Sequence, residues 1–148
     1  VVQLYSFSKA YALPGHRAGA ILADAAVLGE IRKILDCLQI CAPRVAQGAL
    51  AWAIEGLRDW REANRREINA RAAAFRRSLE NAPAWRLDSI GAYFAYLSHP
   101  FEGLAAREVC AKLAGEQGVL ALPGSYFGPG QDGHLRVAFA NVGIPVIE

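Results

Sequence analysis

From Arg44 to Asn81 the chain is almost wholly helical in composition, interrupted only by the weak points Gly48 and Gly56. The second part of this stretch carries a stripe of Leu57, Trp60, Asn64, Ile68, Ala72, Phe75 and Leu79. Spacings of three and four put these residues on one helix face, and the opposite face is dense in Arg and Glu. Such a helix either lies solvated on a surface or braces two domains, and its charges solvate rather than bind. It divides two differently patterned regions. Upstream, Val1 to Phe7 reads as a strand, Ser8 to Arg17 as a loop broken by Leu13-Pro14-Gly15, and Ala18 to Ala23 as a second strand. Asp24 then caps a helix running to about Leu38, and Pro43 suits the first turn of the next.

Downstream of Ala82-Pro83 the period changes to two. Trp85 to Asp88 and Ala92 to Ser98 read as strands, Leu104 to Gln117 as a helix ended by Gly118, and Val119 to Leu122 as a short strand. Pro123 to Gly133 is a Gly- and Pro-rich loop, and His134 to Ala140 a final strand. This order predicts the end of an α/β domain, residues 1–70, followed by most of a smaller α+β domain, residues 71–148. The chain holds no methionine, begins in a strand and stops where a helix could begin, so both ends are expected to be cut from a larger parent.

Composition narrows the partners. Hydrophobic residues at 53% and charged residues at 20% fit a soluble globular chain rather than a disordered one. A net charge of +2 is too small to imply nucleic acid or an anionic membrane, and no apolar run reaches the length of a membrane span. Cys37, Cys41 and Cys110 are too few and too odd in number for a disulfide framework; core packing in a reducing cytoplasm is expected. His16, His99 and His134 show no ligand spacing and read as loop or surface residues, and Trp52, Trp60 and Trp85 as core or interface residues.

The segment that carries chemistry is Ser6-Phe7-Ser8-Lys9-Ala10-Tyr11-Ala12-Leu13-Pro14-Gly15-His16-Arg17-Ala18-Gly19. Ser6 and Ser8 are two apart, so an extended backbone turns them the same way. The Leu13-Pro14-Gly15 turn can bring Arg17 back towards them. Two hydroxyls and a guanidinium suit a phosphate dianion, and a lysine beside them can form a Schiff base with a phosphorylated aldehyde. Taken singly, Lys9 also reads as a solvated loop residue and Arg17 as a surface charge.

The run resembles the cofactor-lysine signature of the class I/II aminotransferases, S-x-S-K-x-x-x-x-x-x-x-R-x-G, at Ser6, Ser8, Lys9, Arg17 and Gly19. The resemblance extends through nearly all of the chain. It implies the fold type I architecture of pyridoxal-phosphate-dependent transferases, with residues 1–148 covering its C-terminal part. It further implies that Lys9 holds pyridoxal 5'-phosphate as a Schiff base and shuttles a proton once an amino acid displaces it, a role that needs a neutral amine. Ser6, Ser8 and Arg17 would hold the cofactor phosphate.

A second constellation is Leu135-Arg136-Val137-Ala138-Phe139-Ala140-Asn141, where alternation turns Arg136 away from Leu135 and Val137. By itself Arg136 reads as an arginine on the wet face of an edge strand. The resemblance gives it the substrate α-carboxylate, through the family's L-R-x-x-F-A segment. The loop Leu122 to Gly128 resembles the one before that strand and is assigned packing and shaping rather than chemistry.

The implied activity is transfer of an amino group from an amino acid to a 2-oxo acid by a cytoplasmic homodimer. The alternatives sharing these residues are a lyase or synthase on the same scaffold and an aminotransferase-like sensor domain of a transcriptional regulator. The acid on the pyridine nitrogen and the aromatic stacked on the ring lie upstream in the family, so residues 1–148 are expected to be inactive alone.

Overall fold

The computed structural model describes residues 1–148, which divide into two compact units, Val1–Asn64 and Arg65–Glu148. In the first, β1 (Gln3–Ser6) and β2 (Gly19–Leu22) form an antiparallel pair in register from Gln3 opposite Leu22 to Ser6 opposite Gly19. Between them lies a single helical turn, α1 (Phe7–Ala10). Two helices follow, α2 (Ala25–Leu38) and α3 (Arg44–Gly56), and α4 (Arg58–Glu80) runs from this unit into the second. Asp24 caps α2 as its sequence position implies, its Oδ1 accepting the Val27 N–H at 3.0 Å. Pro43 stands one residue outside α3, as its N-cap, rather than in the first turn. The Arg44–Asn81 stretch is two helices: Gly48 lies within α3, whereas α3 ends at Gly56, the second of its two weak points.

The core of the first unit is Phe7, Tyr11 and Ala18 packed with Ala46, Leu50 and Ala53 of α3. Phe7 and Tyr11 can meet because the α1 turn places them four apart on one face, with ring centroids 5.5 Å apart.

The second unit is a four-stranded antiparallel sheet in the order β3 (Arg86–Gly91), β4 (Phe94–Ser98), β6 (His134–Ala138), β5 (Ala121–Pro123). Helix α5 (Ala106–Gln117) packs Ala106, Val109 and Cys110 with Leu135. It starts at Ala106, two residues after the Leu104 expected, with the Glu108 carboxylate accepting the Ala105 N–H; as expected, it ends at Gly118, which is in the left-handed conformation. The stripe leading into and along α4 is half-buried except for the exposed Trp60, and the Phe75 ring meets that of Phe139 at a tilt, 5.9 Å between centroids. Arg71 donates to the Ala140 carbonyl oxygen, tying α4 to the segment after β6. A last helical turn, α6 (Ile144–Ile147), completes the unit.

The cysteine expectation is corrected for two of three. Cys37 and Cys41 are exposed, because α2, which carries Cys37, buries none of its residues and Cys41 follows its end; only Cys110 is buried. Trp52 is exposed too, whereas Trp85 packs against the α5 core. No helix is long and apolar enough to cross a membrane.

Candidate active site

The chemistry-bearing residues of the first unit gather at one end of the β1–β2 pair. The Ser8 to Arg17 segment is not simply a loop: Ser6 ends β1 as the N-cap of α1, and its Oγ accepts the Ser8 N–H at 3.4 Å. The two serines therefore do not share a strand face. Ser8 has entered the helical turn, where its N–H needs a partner that a capping side chain supplies. Ser8 is buried at 7% exposure, while Lys9 is exposed on the same turn.

The chain then folds back. The segment Pro14–His16 is a 3-10 turn, and the Phe7 N–H donates to the Ala18 carbonyl oxygen at 3.2 Å. That bond, with Ser6 opposite Gly19, returns Arg17 to the serine end of the strand pair. Gly19 permits the approach: a Cβ there would lie 2.9 Å from the Tyr5 carbonyl oxygen. Ala12 and Arg17, neither of them glycine, adopt left-handed backbone with φ of 51° and 48°. Each such residue costs about 1 kcal/mol, and strain of this kind collects where function fixes the backbone. The Arg17 guanidinium donates one N–H to the Pro14 carbonyl oxygen at 2.8 Å, which fixes its plane and leaves further donors of its five. The fold thus brings Ser6, Ser8 and Arg17 to the same end of the strand pair.

Arg136 belongs to the second unit. It is on β6, an interior strand, and pairs in register with Tyr96 of β4 and Leu122 of β5. The edge-strand reading is corrected, since the chain after the Gly- and Pro-rich loop inserts β6 between β4 and β5. Leu135 is fully buried on the α5 side, and Arg136 is half-buried on the opposite face. Its guanidinium carbon lies 4.3 Å from the ring centroid of Phe94 and 4.4 Å from that of Phe127. A cleft of about 380 Å³ beside it is lined by Ser89, Ile90, Gly91, Phe94, Ala95 and Tyr96.

Sequence reasoning missed these two rings. Phe94 shares the Arg136 face through the alternation Phe94, Tyr96, Ser98 on β4, a signal the period-two pattern contains. Phe127 comes from the loop assigned to shaping, and only its folded position reveals the contact. Nearby, Asp88 accepts from the Ser98 hydroxyl at 2.6 Å and from Arg86 at 2.7 Å, and faces His134 at 3.6 Å. The Ser98 hydrogen bond is the largest cause that holds its carboxyl below the usual carboxylate value; burial opposes it, and Arg86 and then His134 add to the lowering. Burial pushes the Tyr96 phenol up, with Asp88 adding to the shift, while its O–H donates to Gln131 at 2.9 Å.

Residues 1–146 match the family model described as aminotransferase class I and II. The chain belongs to this family. The family's cofactor is pyridoxal phosphate. Arginine–pyruvate transaminase AruH of Pseudomonas aeruginosa is 30% identical over 135 residues, 90% of this chain and 34% of the relative. The (5-formylfuran-3-yl)methyl phosphate transaminase of Methanocaldococcus jannaschii is 30% identical over 147 residues, 95% of this chain and 37% of the relative. Among solved structures, the α-aminoadipate aminotransferase LysN of Thermus thermophilus, complexed with N-(5'-phosphopyridoxyl)-L-leucine, superposes with a TM-score of 0.87 at 25% identity. That match covers 99% of this chain and 39% of LysN. The chain thus spans about a third of the length of the curated relatives it matches. It has the mixed α/β fold of the pyridoxal-phosphate-dependent aminotransferases over 99% of its length.

Proposed function

We propose that the protein transfers an amino group from an amino acid to a 2-oxo acid, with Lys9 as the covalent anchor of pyridoxal phosphate. The observation that carries this reading is the folded-back loop, which gathers Ser6, Ser8, Lys9 and Arg17 at one end of a strand pair. Bound pyridoxal phosphate supplies an electron-withdrawing ring that lets the substrate Cα–H bond ionise. Ser6, Ser8 and Arg17 hold the phosphate by charge-assisted hydrogen bonds. Lys9 sits on a helical turn whose core side chains, Phe7 and Tyr11, are locked in packing, so its amine has a fixed origin from which to take and return the Cα proton. Arg136 holds the substrate α-carboxylate through its N–H edge.

In the same reading, residues 1–70 close the cofactor-binding domain and residues 71–148 belong to the small domain of a cytoplasmic homodimer. The three free cysteines suit a reducing compartment. Residues 1–148 by themselves, without the family's upstream ring contacts, are inactive. Borohydride reduction of the complete protein with pyridoxal phosphate, followed by peptide mapping, tests the anchor. Phosphopyridoxyl label on the peptide holding Lys9 is expected, and label confined to another lysine overturns the reading. Single-turnover mixing with an amino acid distinguishes transfer from elimination: the protein must retain the amino group and release a 2-oxo acid.

A further inference from the structure

We infer that Phe94 and Phe127 are positioning residues that aim the Arg136 guanidinium and keep its hydrogen-bonding edge available to a carboxylate. The inference rests on the reading of Arg136 as the carboxylate site and goes beyond it.

Three other arginines of the second unit, among them the half-buried Arg71, are held by oxygen. Arg71 donates to Glu67 at 2.8 Å and to the Ala140 carbonyl; Arg77 donates to Glu148 at 2.8 Å; Arg86 donates to Asp88 at 2.7 Å and to Ser98 at 3.0 Å. Each commits its N–H groups to oxygen. Arg136 is held instead by two aromatic faces, at 4.3 and 4.4 Å. An aromatic face attracts the cation through its quadrupole and accepts none of the in-plane N–H bonds. A half-buried guanidinium is thus steadied on an interior strand while its charge stays uncompensated and its fork of donors stays open.

The rings are themselves fixed. Phe94 is on β4 in register with Ala138, two residues along β6 from Arg136. Phe127 closes the Gly124–Tyr126 turn, with its N–H on the Gly124 carbonyl oxygen at 2.8 Å. Its ring meets Tyr96 edge-on at 6.5 Å, and Tyr96 in turn stacks on His134 at 5.3 Å with its hydroxyl on Gln131. Gly124 keeps this turn close: a Cβ there would run into the Tyr96 hydroxyl at 2.7 Å and the His134 carbonyl oxygen at 2.8 Å. The loop after β5 therefore works as a holder for one wall of the arginine.

The test uses the complete protein with pyridoxal phosphate and the fastest amino acid from a screen of the standard set. Its probes are KM, kcat, the inhibition constant of propionate, and KM for the amine that lacks the substrate's carboxylate. F127L and F94L are each expected to raise KM about three- to tenfold, with kcat within about twofold of wild type. The propionate constant should weaken in parallel and the amine should be unaffected. F127Y, which keeps the ring, should restore KM. Phe127 is 47% exposed, so F127L leaves the core intact and its melting temperature should match wild type. If R136A raises KM but F127L and F94L do not, the positioning role is overturned and the carboxylate reading stands. If R136A itself leaves KM and propionate inhibition unchanged, the carboxylate reading fails and takes the positioning role with it.

Discussion

The two units solve the same problem to different extents. In Arg65–Glu148 every strand finds a neighbour within the unit, and Ala95, Leu135 and Phe139 are at most 1% exposed. In Val1–Asn64 the sheet is two short strands, Leu4 on β1 is 74% exposed, and Ile34, Leu38 and Ile40 along and after α2 are also exposed. Two strands alone are marginal in water, because they bury too little apolar surface to offset the ordering of their backbone. Yet the first unit holds the strained, hydroxyl-rich loop with the candidate cofactor lysine, and the second holds a single candidate arginine on an interior strand of a four-stranded sheet. The candidate groups are thus held in two ways: the loop by a small local core, and Arg136 by strands on both sides.

The contrast breaks most sharply at Lys9. In the complete protein, Lys9→Ala should lower kcat by about a thousandfold or more, the scale of losing a positioned proton-transfer group. Far-UV circular dichroism should be unchanged, since Lys9 is exposed. A fall of less than about tenfold would place the chemistry elsewhere. Next in size, Leu135→Ala should cost about 2–5 kcal/mol in a denaturant titration, because the side chain is fully buried between the sheet and α5. Leu4→Ala, at an exposed position, should stay within about 0.5 kcal/mol, and equal costs at both sites would erase the contrast between the units.

A smaller loss is expected at Gly19→Ala, where the added Cβ must push β1 and β2 apart against the Tyr5 carbonyl. A cost of about 1–3 kcal/mol, with weaker cofactor retention on dialysis, would tie the strand approach to the phosphate site. The smallest effect is the pH dependence at Asp88. Its carboxyl sits below the ordinary carboxylate value in the folded state, so the native state binds the proton less readily than the unfolded chain. Its stabilisation is therefore present above the unfolded value and is lost as pH falls through the folded one. Asp88→Asn should lower the melting temperature at neutral pH, and the gap to wild type should close in the acid range. A gap independent of pH would mean that packing, not charge, is what Asp88 contributes.

Much of this was legible in the residues. Asp24 before an apolar-periodic run fixes a helix start, and Gly118 fixes a helix end, since both act on backbone groups within a few residues. The spacing of Ser6, Ser8, Lys9, Arg17 and Gly19 is likewise local, and the family resemblance rests on it. Period two turned Arg136 away from Leu135 for the same reason. What local pattern did not hold was the order of strands. That β6 lies between β4 and β5, making Arg136 interior, depends on how distant segments pair. The capping of α1 by Ser6, which separates the two serines, turns on whether the chain leaves β1 at Ser6 or continues extended, and the Phe7–Tyr11–Leu50 core decides it. The placing of Phe127 on Arg136 is decided the same way, by a turn folded against Tyr96. Sequence determines which groups are available and which way each faces along its own element. Packing between elements, whose energy is spread over many small contacts far apart in the chain, decides which of them meet.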